Sequence, residues 1–519
     1  MLLALLILAA APVTIDPGIG HVHFAVSTQN AEAQRYFDQG MAYLYGFNHE
    51  TAIRSFQKAG ELDPNLAMAW WGVALALGPN INLDVDPDRE KQAYDAVHTA
   101  LTKNASPKEH DIIATLAKRY SNDPNADLKK LGADYSQAMG ELTKKYPDDL
   151  DLATLYGESI MDLHPWKFWS HDGKAAPQTE EIVSVLESVL KRDPNHLGAN
   201  HYYIHAIEAS PHPERALKSA GRLATLAPAS GHLVHMPAHI YERTGNYSGA
   251  AKANEKAAAV DRQFIAKNGS EGIYALMYYN HNLQFGTTSY LMDGRFADAK
   301  RLGDEFGANA TAAAKEMPMV ESAAATPLLV RVRFAKWADV IQTPIASAGP
   351  MSTALSHYAR GVAFAQLGDL PAAEREQQDF ESARKTLGDD PGIFQNSPKA
   401  IATVAAGLLS GRIAEAKGNR AQALDSYRSA VDAQDALDYD EPPDWFYPTR
   451  ETLGAALIRD GQYAQAEKVF RADLKSNPSN PRSLFGLAEA QRKQKKSAAT
   501  AMAEFKKSWR GGTLRIEDL

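Results

Sequence analysis

His201 with His205 and His235 with His239 form two H-x-x-x-H pairs. Glu208 lies three residues after the first pair, and His232 three before the second. Side chains three or four residues apart sit one turn apart on one helix face, so His201, His205 and Glu208 make one stripe and His232, His235 and His239 another. Imidazole nitrogen with carboxylate oxygen is a donor set for Zn, Cu(II), Fe(II) or Mn, and a poor one for Mg or Ca. Two or three histidines, a glutamate and an open position would make a site of the catalytic type. His281 is a further metal candidate. Glu208, Glu158 and Asp162 are the carboxylates available for acid/base work. The same groups would equally serve as hydrogen-bonding surface for a bound peptide, so spacing alone leaves a metal-centred site and an interaction surface both open.

Composition narrows the remaining choices. The chain has 519 residues, 45% hydrophobic and 23% charged, which is ordinary for a globular protein and too long for one conventional core. A net charge of −8 gives no basic footprint for nucleic acid. The absence of cysteine excludes thiolate metal sites, disulfides and cysteine nucleophiles. No phosphate-binding glycine loop, G-x-S-x-G elbow or H-E-x-x-H motif is present. Ten of the sixteen histidines fall between His164 and His281. Residues 1–14 resemble a signal peptide. Their apolar run has the length of a leader's hydrophobic core and is too short to span a bilayer, although a basic start is missing. Export is therefore expected, with cleavage near Ala11, a periplasmic or secreted location, and no membrane insertion once the leader is removed.

The elements that must position the histidines are helical. After an extended segment at 15–30, Gly40, Tyr43, Ala52, Phe56, Ala59 and Pro64 supply small residues where two helices approach, aromatic residues to fill the seam, and a proline to end the second helix. These residues resemble the packing positions of the tetratricopeptide repeat, whose period is 34 residues. Leu197 and Gly231 are one such period apart, and Ala238, Tyr241, Gly245, Tyr247, Ala250 and Ala257 fit the same pattern. Further anchors are Tyr290, Gly294 and Phe296; Gly361, Gly368 and Ala373; Gly411, Gly418, Ala423 and Tyr427; and Gly454, Gly461, Tyr463 and Ala466. Segments such as HYYIHAIEASPHPERAL and GHLVHMPAHIYERTGNY resemble a His-rich subgroup of bacterial tetratricopeptide-repeat proteins. The expected class is all-α, a right-handed solenoid of roughly eight to ten helix pairs. A repeat array is expected over 31–306, an Ala-rich junction over 307–350, and a second array over 351–519.

The resemblance also implies a place for the polar residues. In such repeats the first helix lines the concave groove, and its positions 2, 5, 9 and 12 face inward. In this register His201, His205 and Glu208 occupy positions 5, 9 and 12, His232, His235 and His239 occupy 2, 5 and 9, His281 takes 2, and Glu158 takes 9. The groove would then hold a Zn, Cu or Fe ion with a small-molecule ligand, or it would grip a peptide as a non-catalytic scaffold. Pro237, in the second turn of its helix, would break a backbone bond there. The aromatic-rich insertion from His164 to Pro177 would fold over the groove. His49 is expected to pack or cap, His212 to lie in a loop, and His23 is placed by residue type alone as a strand that would drape into the groove.

Overall fold

A computed structural model describes residues 13–269, 272–392 and 395–519; the leader-like run expected at 1–14 falls almost wholly outside them. Among the described residues the chain is a succession of helices joined by short turns, with only isolated bridges and no strand. No helix among them is long and apolar enough to cross a membrane.

Several helices begin where the sequence supplies an acceptor. The Asn30 side chain takes the Glu32 and Ala33 amides at the head of Ala31–Tyr45, and Asp149 takes the Leu152 amide at the head of Leu150–Met161. Ser106 and Glu109 close a reciprocal capping box at Pro107–Leu116. Such side chains satisfy amide donors that the helix itself cannot. Pairing of the helices rests on glycine meeting an aromatic ring. A Cβ on Gly40 or on Gly72 would stand 2.5 Å from the Phe56 ring, so only glycine lets this ring wedge between one helix and the first helix of the next pair. The same arrangement recurs with Phe470 between Gly454 and Gly486, and with Tyr427 on Gly411. A solenoid of stacked helical hairpins follows from that repeated contact.

The chain forms two compact units. One comprises the chain through Ile240 together with Lys256–Tyr279; the other comprises Tyr241–Glu255 and Asn280–Leu519. In the first, the helix Leu197–Glu208 is buried along its whole length, so it lies in the interior, and its polar positions need partners there. Asn200 finds the carbonyls of His196 and Pro194 at 2.9 and 3.0 Å. The second unit contains the stretch 307–350, where a junction is expected. Ala325, Leu328, Leu329, Val332 and Val340 from that stretch are buried in the unit's core, because the helices Thr326–Arg333 and Trp337–Gln342 present apolar residues at helical spacing even where the repeat register is lost.

A candidate metal centre of converging imidazoles

All five histidines of the two H-x-x-x-H stripes come together inside the first unit. Their ring centroids form a closed circuit: His201 to His205 5.0 Å, His205 to His239 5.4 Å, His239 to His235 4.7 Å, His235 to His232 5.8 Å and His232 to His201 4.9 Å. The open groove face expected from the repeat register is not what surrounds them. None of the five, nor Glu208, is more than 2% exposed, because aromatic side chains from outside the register close over the rings.

Local structure explains how each ring arrives. Gly198 has no Cβ where one would stand 2.4 Å from the Tyr45 ring, so the end of Ala31–Tyr45 packs directly on Leu197–Glu208. Tyr45 is tied down by its hydroxyl, which donates to Asp151 at 2.6 Å, and its backbone carbonyl reaches His201. Pro237 acts as its chemistry predicts: the helix stops at His235 and resumes as Pro237–Arg243. Across that break the Nε2 atoms of His235 and His239 lie 2.8 Å apart. At the head of Gly231–His235, a Cβ on Gly231 would fall 1.8 Å from Asp261. The Tyr274 hydroxyl accepts from the His232 amide at 3.2 Å and donates to Asp261 at 3.0 Å.

The partners of the rings fix their tautomers. His201 Nδ1 lies 2.6 Å from the Tyr45 carbonyl oxygen. A carbonyl only accepts, so Nδ1 carries the proton and the His201 Nε2 lone pair is free to bind. His205 Nδ1 lies 2.8 Å from Glu208 Oε1, and His239 Nδ1 forms an ion-pair contact with Glu208 Oε2. Burial alone would push the Glu208 carboxyl up, but the His239 and His205 rings more than offset it and hold the group at about 2. An ionised carboxylate also only accepts, so His205 and His239 likewise turn their Nε2 lone pairs away from it. Burial, reinforced by the His205 ring, lowers the pKa of His201 well below the ordinary imidazole value. Burial lowers that of His205 too, against the opposing pull of Glu208. Both rings are therefore neutral, the form that coordinates metal.

Where the lone pairs point is equally defined. His201 Nε2 stands 3.0 Å from His232 Nε2. His201, His205 and His232 each offer a nitrogen, all three within 4.8 Å of one another. His205 Nε2 is buried without a hydrogen-bond partner. A bare imidazole nitrogen in an apolar interior loses hydration and gains nothing in return, a cost of about 1–3 kcal/mol.

The walls come from residues without helical periodicity. Phe47, in a left-handed backbone conformation with φ 56°, stacks on His205 and His232 at 6.0 and 5.5 Å and meets His201 edge-on at 4.5 Å. Trp166, also left-handed with φ 63°, stands edge-on to His205 at 5.5 Å. Non-glycine residues held in this conformation cost of order 1–3 kcal/mol and concentrate at functional sites. The insertion that carries Trp166 is pinned to the histidine helix by Trp169 Nε1, which donates to the Ala206 carbonyl at 2.8 Å. Tyr278 closes on His232 at 4.8 Å from a single π-helical turn, Tyr274–Tyr278, a feature frequent at functional sites.

The remaining sequence candidates have contacts of their own. Asp162 pairs with Arg119 at 2.5 Å, and burial next to Asp162 raises Glu158 well above the carboxylate range. These two acids thus belong to a buried ion cluster anchored by a guanidinium, away from the imidazole ring contacts. Glu208 is engaged by the Nδ1 atoms of His205 and His239, so it orients those two rings. His281 belongs to the second unit, where its ring meets Phe285 edge-on. His49 packs against Phe47 beside Asn80, and Asn48 provides the cap. His212 is an exposed loop residue near Glu214. His23, largely exposed, bonds Asp38 at 3.0 Å and so does not drape inward. Residue-type reasoning missed Phe47, Tyr45, Tyr274, Tyr278 and Asp261. Only the aromatic run at Met277–Asn282 offered a signal.

Residues 33–66 match the family model described as tetratricopeptide repeat. No curated protein matches the sequence. Among solved structures, a human IFIT1 dimer with m7Gppp-AAAA is 12% identical, with 93% of this chain and 90% of that one covered at a TM-score of 0.36. The Cut9 assembly titled APC/C hetero-tetramer Cut9-Hcn1 is 13% identical, covering 90% and 78% at 0.32. Yeast Tom70 is 12% identical, covering 90% and 89% at 0.30. Likenesses at these scores carry no functional argument.

Proposed function

We propose that this helical-repeat protein is a metal-binding protein whose first unit holds a divalent transition-metal ion on His201, His205 and His232, with a small ligand beside it. One observation carries the reading: His201 and His205 each have Nδ1 anchored on an acceptor, so that Nε2 presents a lone pair, and both nitrogens lie within 4.8 Å of one offered by His232. Metal-binding histidines characteristically donate their second nitrogen to a carbonyl or carboxylate in this way. Histidine–histidine hydrogen bonding would account for the close His201–His232 and His235–His239 contacts, but it leaves the buried His205 nitrogen unsatisfied. A peptide-gripping groove needs its polar groups spread along an accessible face, whereas these are gathered and buried.

The residues present fit such an ion. They would supply neutral imidazole donors, hold them in one tautomer through Tyr45 and Glu208, and keep bulk water out with Phe47, Trp166 and Tyr278. A metal bound there would act as a Lewis acid toward a ligand in an open position. The test uses the full chain purified without a histidine tag, loaded with Zn(II) or Cu(II) and dialysed. At least one retained equivalent is expected, with one equivalent lost in the His201→Asn/His205→Asn double variant. No retained metal, or unchanged metal in that variant, would overturn the reading. Export belongs to the same proposal, supported by the apolar run in residues 1–14 and the lack of cysteine. A mature N-terminus recovered from the native host still at Met1 would remove it.

A further inference from the structure

We infer that the centre binds two ions rather than one, the second on His235 and His239, and that both are of the copper or zinc class. This rests on the proposed metal-binding reading and extends it. The five imidazoles divide into two groups of donors. His201 and His232 bring their Nε2 atoms to 3.0 Å, with His205 as the third member; His235 and His239 bring theirs to 2.8 Å. Two nitrogens on one ion with bonds of about 2.05 Å lie about 2.9 Å apart at a right angle and about 3.3 Å apart at the tetrahedral angle. Both close pairs already stand near that separation. One ion cannot take all five rings, because ions of this class are usually four-coordinate, and His201, His205 and His232 bring donor nitrogens within 4.8 Å of one another as a group that does not include His235 or His239.

Glu208 joins the two groups. Its two oxygens take the Nδ1 of His205 from one group and of His239 from the other, so one carboxylate fixes a lone pair in each. A single metal site would need that anchor once. This use of Glu208 also decides the metal class. With both oxygens occupied by imidazole N–H groups, the donors left are nitrogen alone, and no cysteine exists in the chain. Iron(II) and manganese(II) sites draw on carboxylate oxygen, whereas all-imidazole sets suit copper and zinc, copper being bound more tightly in the ordinary affinity order.

The experiment is a metal count on the intact chain. Tag-free protein stripped by chelator is titrated with Cu(II), and in parallel with Zn(II), then desalted; metal per chain is read by elemental analysis beside a circular dichroism spectrum. Two equivalents are expected in the native chain, and one in His235→Asn/His239→Asn with an unchanged spectrum. One equivalent in the native chain would overturn the two-ion inference while leaving the metal-binding reading intact; none would overturn both. Two equivalents surviving in the double variant would place the second ion elsewhere, and loss of both from a folded variant would show that the sites are not separate. Either result would overturn the inference. Should the double variant fail to fold, the native count still decides.

Discussion

Each of the two units buries a polar cluster, and the clusters differ in what they leave unsatisfied. In the second unit, Arg333 and Glu451 form a two-pronged ion pair. Asn480 bonds both Glu451 and Asp473 at 2.8 and 2.7 Å, and Ser483 and Asn477 complete Asp473 at 2.6 and 3.0 Å. Every carboxylate oxygen there has a donor, and the atom left over is itself a donor, Arg333 Nε. In the first unit the Nδ1 atoms of His201 and His205 are anchored on the Tyr45 carbonyl and on Glu208, yet His205 Nε2 meets no donor at all. A network that closes on itself stabilises one packing. A network that is anchored behind and leaves a donor nitrogen in front is the arrangement the proposed metal site would need.

The largest expected effect tests the closed cluster. Arg333→Met leaves the buried Glu451 carboxylate with one amide hydrogen bond, from Asn480, and breaking a buried pair from one side costs about 3–5 kcal/mol. Urea unfolding should show that loss while metal content stays unchanged. A drop below about 1 kcal/mol would mean that the pair is better hydrated than its burial indicates. A second substitution in the same cluster probes its pH response. Burial, with Glu451 adding to it, raises Asp473 to about 6. Between the unfolded value near 3.8 and that figure, the folded state holds a proton that the unfolded state has released. Stability therefore falls as pH rises through this window, by up to about 3 kcal/mol. Asp473→Asn should flatten that slope in denaturation midpoints measured from pH 4 to 7; an unaltered slope would assign it to another group.

On the open cluster the sharpest variant is Glu208→Gln. The amide oxygen can still accept one Nδ1–H, but the amide nitrogen donates and so opposes the other. One of His205 and His239 must then turn its proton to Nε2 and lose its lone pair. Metal affinity should weaken about 10- to 100-fold, the usual consequence of removing a carboxylate behind a ligating histidine, with little change in helix content. Competition titration against a chelator measures this. Unchanged affinity would reduce Glu208 to a packing residue.

Much of the fold was legible in the sequence because its determinants are periodic. Gly40, Phe56 and Gly72 occupy repeat positions, and the structure wedges them together as those positions require. The five histidines were legible too, since helical spacing gathers them on two stripes. What escaped was everything set by irregular backbone or by distant contacts. Tyr45 serves the site through a main-chain carbonyl, which no side-chain pattern advertises. Phe47 and Trp166 act from left-handed turns, where periodicity is silent. Glu158 and Glu208 are the same residue type at comparable repeat positions. One is pushed up by burial and by Asp162 beside it; the other meets the His239 and His205 rings and is held low. Only the partners distinguish them.

The smallest expected effect lies in how protons compete with metal. Unperturbed histidines begin to lose metal as pH falls to about 6.5, where protons claim the lone pair. Here burial lowers the pKa of His201 and His205. In the folded chain their nitrogens therefore remain unprotonated below that pH. Competition sets in only once pH reaches the lowered values, so the midpoint for metal release should fall below 6.5. Glu208, at about 2, stays ionised throughout and keeps both Nδ1 protons in place, which preserves the tautomers over the same range. Occupancy measured from pH 7.5 downward, with the helical signal followed in parallel, separates release from unfolding. A midpoint at or above 6.5 on a folded chain would show that the rings are reached by water before the ion leaves. The contrast between an open and a closed cluster would then have to be drawn from access rather than from the arrangement of donors.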